Sequence, residues 1–209
     1  MRCELDHLVV ACTDLDAGAA WVAERLGVEP MAGGQHPLMG THNRVLRLGA
    51  GVYLELIAID PSAPAPSRPR WFDLDSPDMQ ARLAQSPALI TWAARTDKIV
   101  EAVTRVPELG QVHAAARGAL SWRITIPEDG KLQFGGLLPT VLQWDSIHPT
   151  DTMPASGCEL LELSLSHPMS AGLVPMYRAL RIAGPVDLKP GPKAIAARIR
   201  TPAGDVELS

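Results

Sequence analysis

Leu5-Asp6-His7-Leu8-Val9-Val10-Ala11-Cys12-Thr13-Asp14-Leu15-Asp16 is the stretch that decides the fold of this chain. Leu5 to Ala11 is a short apolar run with His7 inside it, which predicts a strand. Thr13-Asp14 then offers a helix cap, and Asp16 follows Thr13 by three residues, as in a capping box. Leu15, Ala19, Val22 and Leu26 recur at helical spacing and share one face. Gly27 stands where a left-handed C-terminal residue belongs. Working outward, Val28 to Met31 starts a second strand, which Gly33-Gly34 breaks. Thr41 to Leu48 makes a third strand, and Gly49-Ala50-Gly51 turns the chain. Val52 to Ile59 is a last, strongly apolar strand carrying Glu55. The order is βαβββ.

Residues 60–70 are of another kind. Pro61, Pro64, Pro66 and Pro69 remove amide donors and fix φ, so a linker or long surface loop is expected. A short helix over 75–83 follows. The same grammar then returns over about 87–146. Ala88 to Ala94 is a strand, and Thr96-Asp97 caps a helix with Ile99, Val103 and Val106 on one face. Val112 to Ala116, Ala119 to Ile126 and Leu137 to Trp144 are further strands, the last carrying Gln143. Paired modules at about 4–60 and 87–146 thus fill residues 1–150. Residues 151–209 read as a third, shorter βαβ-type module, with a helix capped by Ser170, packed on the first two or on a partner subunit. The closing triplets Leu54-Glu55-Leu56, Leu142-Gln143-Trp144 and Val206-Glu207-Leu208 each place a polar residue between apolar ones. The expected fold class is α+β, with curled mixed sheets around a cleft.

Composition narrows the function. Of 209 residues, 46% are hydrophobic and 20% charged, which excludes a disordered chain. Nineteen basic against 23 acidic residues leave a net charge of −4, so no basic excess exists to neutralise nucleic-acid phosphates. No segment is apolar over the ~20 residues needed to span a bilayer, and the N-terminus lacks the apolar stretch of a signal peptide. Cys3, Cys12 and Cys158 match no disulfide or zinc pattern and read as buried, reduced thiols, which suits a cytoplasmic protein. There is no GxGxxG after a strand, no P-loop, no GxSxG elbow and no HExxH.

Several segments together resemble a known family. They are Leu5-Asp6-His7-Leu8-Val9-Val10, Asp14-Leu15-Asp16, Arg25-Leu26-Gly27-Val28, His36-Pro37, Gly40-Thr41-His42-Asn43 and Tyr53-Leu54-Glu55-Leu56. Leu142-Gln143-Trp144-Asp145 with His148-Pro149 adds to them. The sequence resembles the glyoxalase-like domain branch of the vicinal oxygen chelate superfamily over about residues 4 to 180. The resemblance implies paired βαβββ modules around a shared cleft. It also implies a divalent metal held by ligands from the first and last strands of two modules. Members include glyoxalases, extradiol dioxygenases, epimerases and metal-free drug-binding proteins, so fold alone leaves function open.

His7 and Glu55 fall where the first module would supply two ligands, and they suit zinc, manganese, nickel or iron(II). The second module offers Thr91 and Gln143, of which only Gln143 brings a usable, uncharged oxygen. The expected metal set is therefore His7, Glu55 and Gln143, with a metal-free cleft equally open. Without metal, His7 and Glu55 form a catalytic acid–base pair, the carboxylate fixing the imidazole tautomer. Glu55 could alternatively pair with Arg44 or Arg47. His36, Asn43, Arg47, Gln143 and Trp144 are the expected substrate-binding residues, with Arg47 clamping an anion. A lyase, isomerase or dioxygenase acting on a carbonyl or hydroxylated metabolite is the leading reading. A metal-free binder of an apolar or carbonyl-containing small molecule is the alternative, and a homodimeric scaffold is a third.

Overall fold

Strand β1 (Cys3–Ala11) is apolar almost throughout because both of its faces are covered. Leu8 and Val10 point to one face, Val9 and His7 to the other. The computed structural model describes residues 1–209. After β1 come α1 (Leu15–Leu26), β2 (Met31–His36), β3 (Thr41–Arg47), β4 (Tyr53–Ile59) and α2 (Pro77–Leu83). Next are β5 (Ala88–Arg95), α3 (Ile99–Arg105), β6 (Gln111–Arg117), β7 (Leu120–Ile126) and β8 (Thr140–Trp144). The chain ends with β9 (Glu159–His167), α4 (Ser170–Leu180), β10 (Ile182–Ala183), β11 (Val186–Pro190), β12 (Ala194–Thr201) and β13 (Gly204–Leu208).

The first two modules merge into one sheet of order β2-β3-β4-β1-β5-β8-β7-β6, and β10 adds a short parallel pairing to β1. The join is the antiparallel pair β1–β5. Edge strands β2 and β6 approach each other, so the sheet curls into a half-barrel around the His7 face. The fold is α+β, a curled mixed sheet around a cleft.

A second sheet, β11-β9-β12-β13, forms from the last sixty or so residues. Its β9–β11 pair is parallel, with α4 and the short β10 between the two strands, so its strand order differs from that of the first two modules. It covers the outer face of the half-barrel. Leu163, Leu165, Leu173 and Ile199 share one buried cluster with Leu8, Leu54, Trp92 and Ile99.

Local details differ from the sequence reading where several residues could play one role. Asp14, not Thr13, caps α1, accepting from the Asp16 and Ala17 amides. Strand β2 begins at Met31 and runs through Gly33-Gly34 with a register shift. Neither Asp97 nor Thr96 caps α3 itself; the first free amide of that helix, on Ile99, is taken by Gln143 Oε1 at 3.1 Å. Ser170 opens α4 instead of capping it; the cap position is Met169, whose amide is bound by His167 Nδ1. The proline-rich segment passes from Gly40 to His113 and Pro127 and continues into Trp71 and Phe72, which are buried in the cluster on the concave side. Asp73 ties this cover down, its amide donating to the Gly130 carbonyl at 3.0 Å and its carboxylate accepting from the Leu132 amide. All three cysteines are buried and unpaired. No helix is long and apolar enough to cross a membrane.

Candidate functional site

The concave face holds a narrow cleft. His7 from β1, His36 from β2, Asn43 from β3, and Tyr53 and Glu55 from β4 line one side of it. Trp122, Ile124, Leu142 and Trp144 from β7 and β8 line the other, with Trp71 and Phe72 as cover. Arg117 reaches in from the end of β6.

A break in the β1–β5 ladder organises the polar end. Leu5 pairs with Ala94 and His7 with Ala93, so Asp6 is the extra residue between them. The bulge lets neighbours Asp6 and His7 meet. Asp6 Oδ1 lies 2.7 Å from His7 Nδ1. Asp6 Oδ2 accepts from the Trp144 indole N–H at 3.0 Å and meets His148 Nε2 at 3.0 Å. The Thr150 amide donates to His148 Nδ1, which leaves the imidazole proton on Nε2, facing Asp6. Asp6 is fully buried. Burial alone would raise its pKa, but the hydrogen bonds from His148 and His7 outweigh burial and hold the carboxyl well below the usual range.

An anionic Asp6 on Nδ1 fixes the proton of His7 there. The Nε2 lone pair then faces the cleft, 3.6 Å from Glu55 Oε2. The Tyr53 ring stacks on the imidazole at 4.5 Å between centroids. Burial, with Asp6 and Glu55 nearby, lifts the Tyr53 phenol well above its usual range, so it stays neutral.

Glu55 is held from its other oxygen. Asn43 Nδ2 donates to Oε1 at 2.5 Å, and Asn43 Oδ1 accepts from Arg117 at 2.7 Å and from the Gly34 amide at 2.9 Å. This requires Gly33 and Gly34. A Cβ on Gly33 would lie 2.0 Å from Asn43 Oδ1, and one on Gly34 would lie 2.6 Å from Arg117 Cδ. His36 Nδ1 meets Thr41 Oγ1 at 3.0 Å, and its Nε2 faces Arg117 at 3.2 Å. Burial pushes its pKa down to about 4, against the pull of Glu55 and with help from Arg117, so His36 is neutral near pH 7.

His7, Glu55, His36, Asn43 and Trp144 thus converge on one cleft. Two expected residues do not. Arg47 turns its guanidinium to the Gly49 and Met153 carbonyls, because β3 ends there beside the incoming chain. Gln143 points away from the cleft, into α3. The triplets of the two modules are out of phase. Glu55 at the centre of its triplet faces the cleft, whereas Leu142 and Trp144, the flanks of the other, do so. The Thr91 hydroxyl is also engaged elsewhere, donating to the Gly136 carbonyl. Neither Arg44 nor Arg47 pairs with Glu55. Arg117, Tyr53, Trp71 and Phe72 line the cleft, and Asp6 supports it from behind His7, without having been expected from the sequence. Asp6 carried a signal, a carboxylate inside an otherwise apolar strand. Arg117 carried none, since its place depends on closure of the half-barrel.

The donor set does not fit a resident divalent cation. Gln143 is absent from it, the Arg117 guanidinium sits against His36 Nε2, and Asn43 occupies one Glu55 oxygen. His7 Nε2 and one carboxylate oxygen remain, fewer than the three or four ligands such a metal takes.

The sequence matches the family described as glyoxalase-like domain over residues 5–180. No curated protein matches it. Among solved structures, a hypothetical protein from Staphylococcus aureus is 12% identical, with 91% of this chain and 87% of that one covered, at a TM-score of 0.66. A methylmalonyl-CoA epimerase bound to methylmalonyl-CoA is 16% identical, covering 71% of this chain and 99% of that one, at 0.47. The Mycobacterium tuberculosis epimerase is 16% identical, covering 71% and 91%, at 0.43. At these identities the likeness concerns the fold alone. The family match spans most of the chain, and the chain belongs to the glyoxalase-like domain family.

Proposed function

We propose that this protein is a small-molecule enzyme of the isomerase or lyase type that moves a proton at a carbon beside a carbonyl. The observation that carries this reading is the buried Asp6–His7 pair presenting a free imidazole nitrogen to a carboxylate, in a cleft whose opposite side is lined by indoles and aliphatic side chains. His7 Nε2 accepts the proton as the substrate C–H bond breaks. The electron pair of that bond moves into the adjacent carbonyl and forms an enolate. The imidazolium, stabilised by Asp6, then returns the proton to carbon or passes it to a leaving group. Glu55, fixed by Asn43, stabilises the imidazolium once Nε2 is protonated and can take the proton in its place. Exclusion of water by Trp71, Phe72, Trp122 and Trp144 strengthens each of these electrostatic effects.

The apolar lining also suits a binder that does no chemistry. One experiment separates the two. Carbonyl compounds that raise the melting temperature are incubated with the protein in D2O and followed by proton NMR. Loss of the α-proton signal, abolished in His7→Ala, supports the enzyme. Stabilising compounds that never exchange that proton refute it and leave a binder.

A further inference from the structure

The geometry points to a carboxylate with a flat apolar body as the molecule this cleft accepts, with Arg117 as its anchor; this deepens the reading above and concerns the same site. Arg117 has no carboxylate oxygen within 4 Å; every close acid–base pair of the chain involves other residues. Only its Nη1 is engaged, by Asn43 Oδ1 and His36 Nε2. Its Nε and Nη2 have no protein acceptor. These two N–H groups are the pair that meets both oxygens of a carboxylate side-on. His36 beside the guanidinium is neutral, and Glu55 reaches it only through the Asn43 amide.

The seat is built for the side chain. Arg117 lies across the bare backbone of Gly34, where any Cβ would strike it. The residue comes from the second module and is fixed by two polar side chains of the first, so it spans the closure of the half-barrel. The Trp71 indole N–H, also at this cleft, is buried without an acceptor. Arg117 Nε and Nη2, on a half-buried side chain, and the buried Trp71 N–H are all donors, which suits an anionic oxygen ligand. The His7–Glu55 end offers free lone pairs instead. The two ends are separated by the width of the Asn43 amide, which bonds to both Arg117 and Glu55. A molecule whose carboxylate lies one or two bonds from the reacting carbon satisfies both. Between them, Trp122, Trp144, Leu142 and Ile124 contact its apolar part.

The test measures affinity, by calorimetry or NMR titration, for phenylacetate, phenylpyruvate and indole-3-acetate beside the corresponding primary amides. Wild type, Arg117→Gln and Glu55→Gln are compared. Arg117→Gln keeps a donor for Asn43 and removes the charge. We expect carboxylates to bind about tenfold or more tightly than amides. Arg117→Gln should erase that preference while leaving amide affinity within about twofold, and unchanged thermal melting confirms that it folds. Glu55→Gln should preserve or strengthen carboxylate binding. Equal affinity for acids and amides, no binding of any carboxylate, or a preference that survives Arg117→Gln would overturn the inference. Carboxylates that bind through Arg117 without α-proton exchange would sustain it and refute only the enzymatic reading.

Discussion

Replacing Asp6 by asparagine tests the polar end of the cleft with the loss of a single charge. Asp6 receives three donors, from His7 at 2.7 Å, Trp144 at 3.0 Å and His148 at 3.0 Å. An asparagine has one oxygen and one NH2 group. The indole cannot change its tautomer, so the amide oxygen must face Trp144 and His148. The NH2 group then faces His7 Nδ1, which has to give up its proton. Nε2 becomes the protonated nitrogen, and the cleft loses its base. Three charge-assisted hydrogen bonds become neutral or are remade, at about 1 kcal/mol each, partly offset by the relief of burying a charge. We expect Asp6→Asn to lose about 2 kcal/mol of stability by urea unfolding. Long-range proton–nitrogen NMR of the histidine rings should show His7 protonated on Nε2 in the variant and on Nδ1 in wild type. An unchanged tautomer together with an unchanged urea midpoint would refute this account of Asp6.

Other consequences follow from the same contacts. His36 has its pKa lowered to about 4 in the folded chain, so the unfolded state binds this proton more readily. The stability from keeping His36 neutral is fully present above about pH 6.5 and is lost as pH falls toward 4, about 3 kcal/mol in all. Urea midpoints across this range should fall in wild type and flatten in His36→Gln; equal slopes would contradict the assignment. Asp6, also depressed, adds a further loss below the usual carboxylate range. Gly33→Ala should drive Asn43 away from Glu55, costing about 1–3 kcal/mol and weakening carboxylate binding, whereas an unaltered titration would show that Asn43 does not position the site. Gln143→Ala should cost about 1 kcal/mol through the lost acceptor at the start of α3, with ligand affinity unchanged; a large affinity loss would return Gln143 to the cleft.

Much of the architecture was legible in the sequence because local rules agree with the global fold there. The apolar run of β1, the periodic face of α1, the Gly27 stop and the apolar β4 define the first module without reference to anything distant. The site was legible where strand alternation applies unbroken. Glu55 lies between Leu54 and Leu56 and faces the cleft while they face the outer core. Alternation misleads at the two bulges in the β1–β5 ladder. One brings Asp6 to the His7 side of the strand, and the other leaves Ile90 as an extra residue beside Thr91. A bulge of one residue reverses every facing beyond it, and nothing local in Leu5-Asp6-His7 marks its position. Gln143 failed for a related reason, since matching triplets by their chemistry does not fix their phase. Arg117 and Trp71 belong to the cleft through long-range closure and through a loop laid across the concave face, which no spacing reveals.

The central claim is that His7 and Glu55 act on their own side-chain chemistry, with Asp6, Asn43 and Arg117 as their supports. Metal content by elemental analysis is the most direct test. Protein purified without a chelator or affinity tag is compared with His7→Ala, before and after loading with zinc, nickel, manganese and iron(II). The account predicts no near-stoichiometric metal in wild type under either condition, and α-proton exchange that is indifferent to chelator. One equivalent of metal retained by wild type and lost by His7→Ala would contradict it.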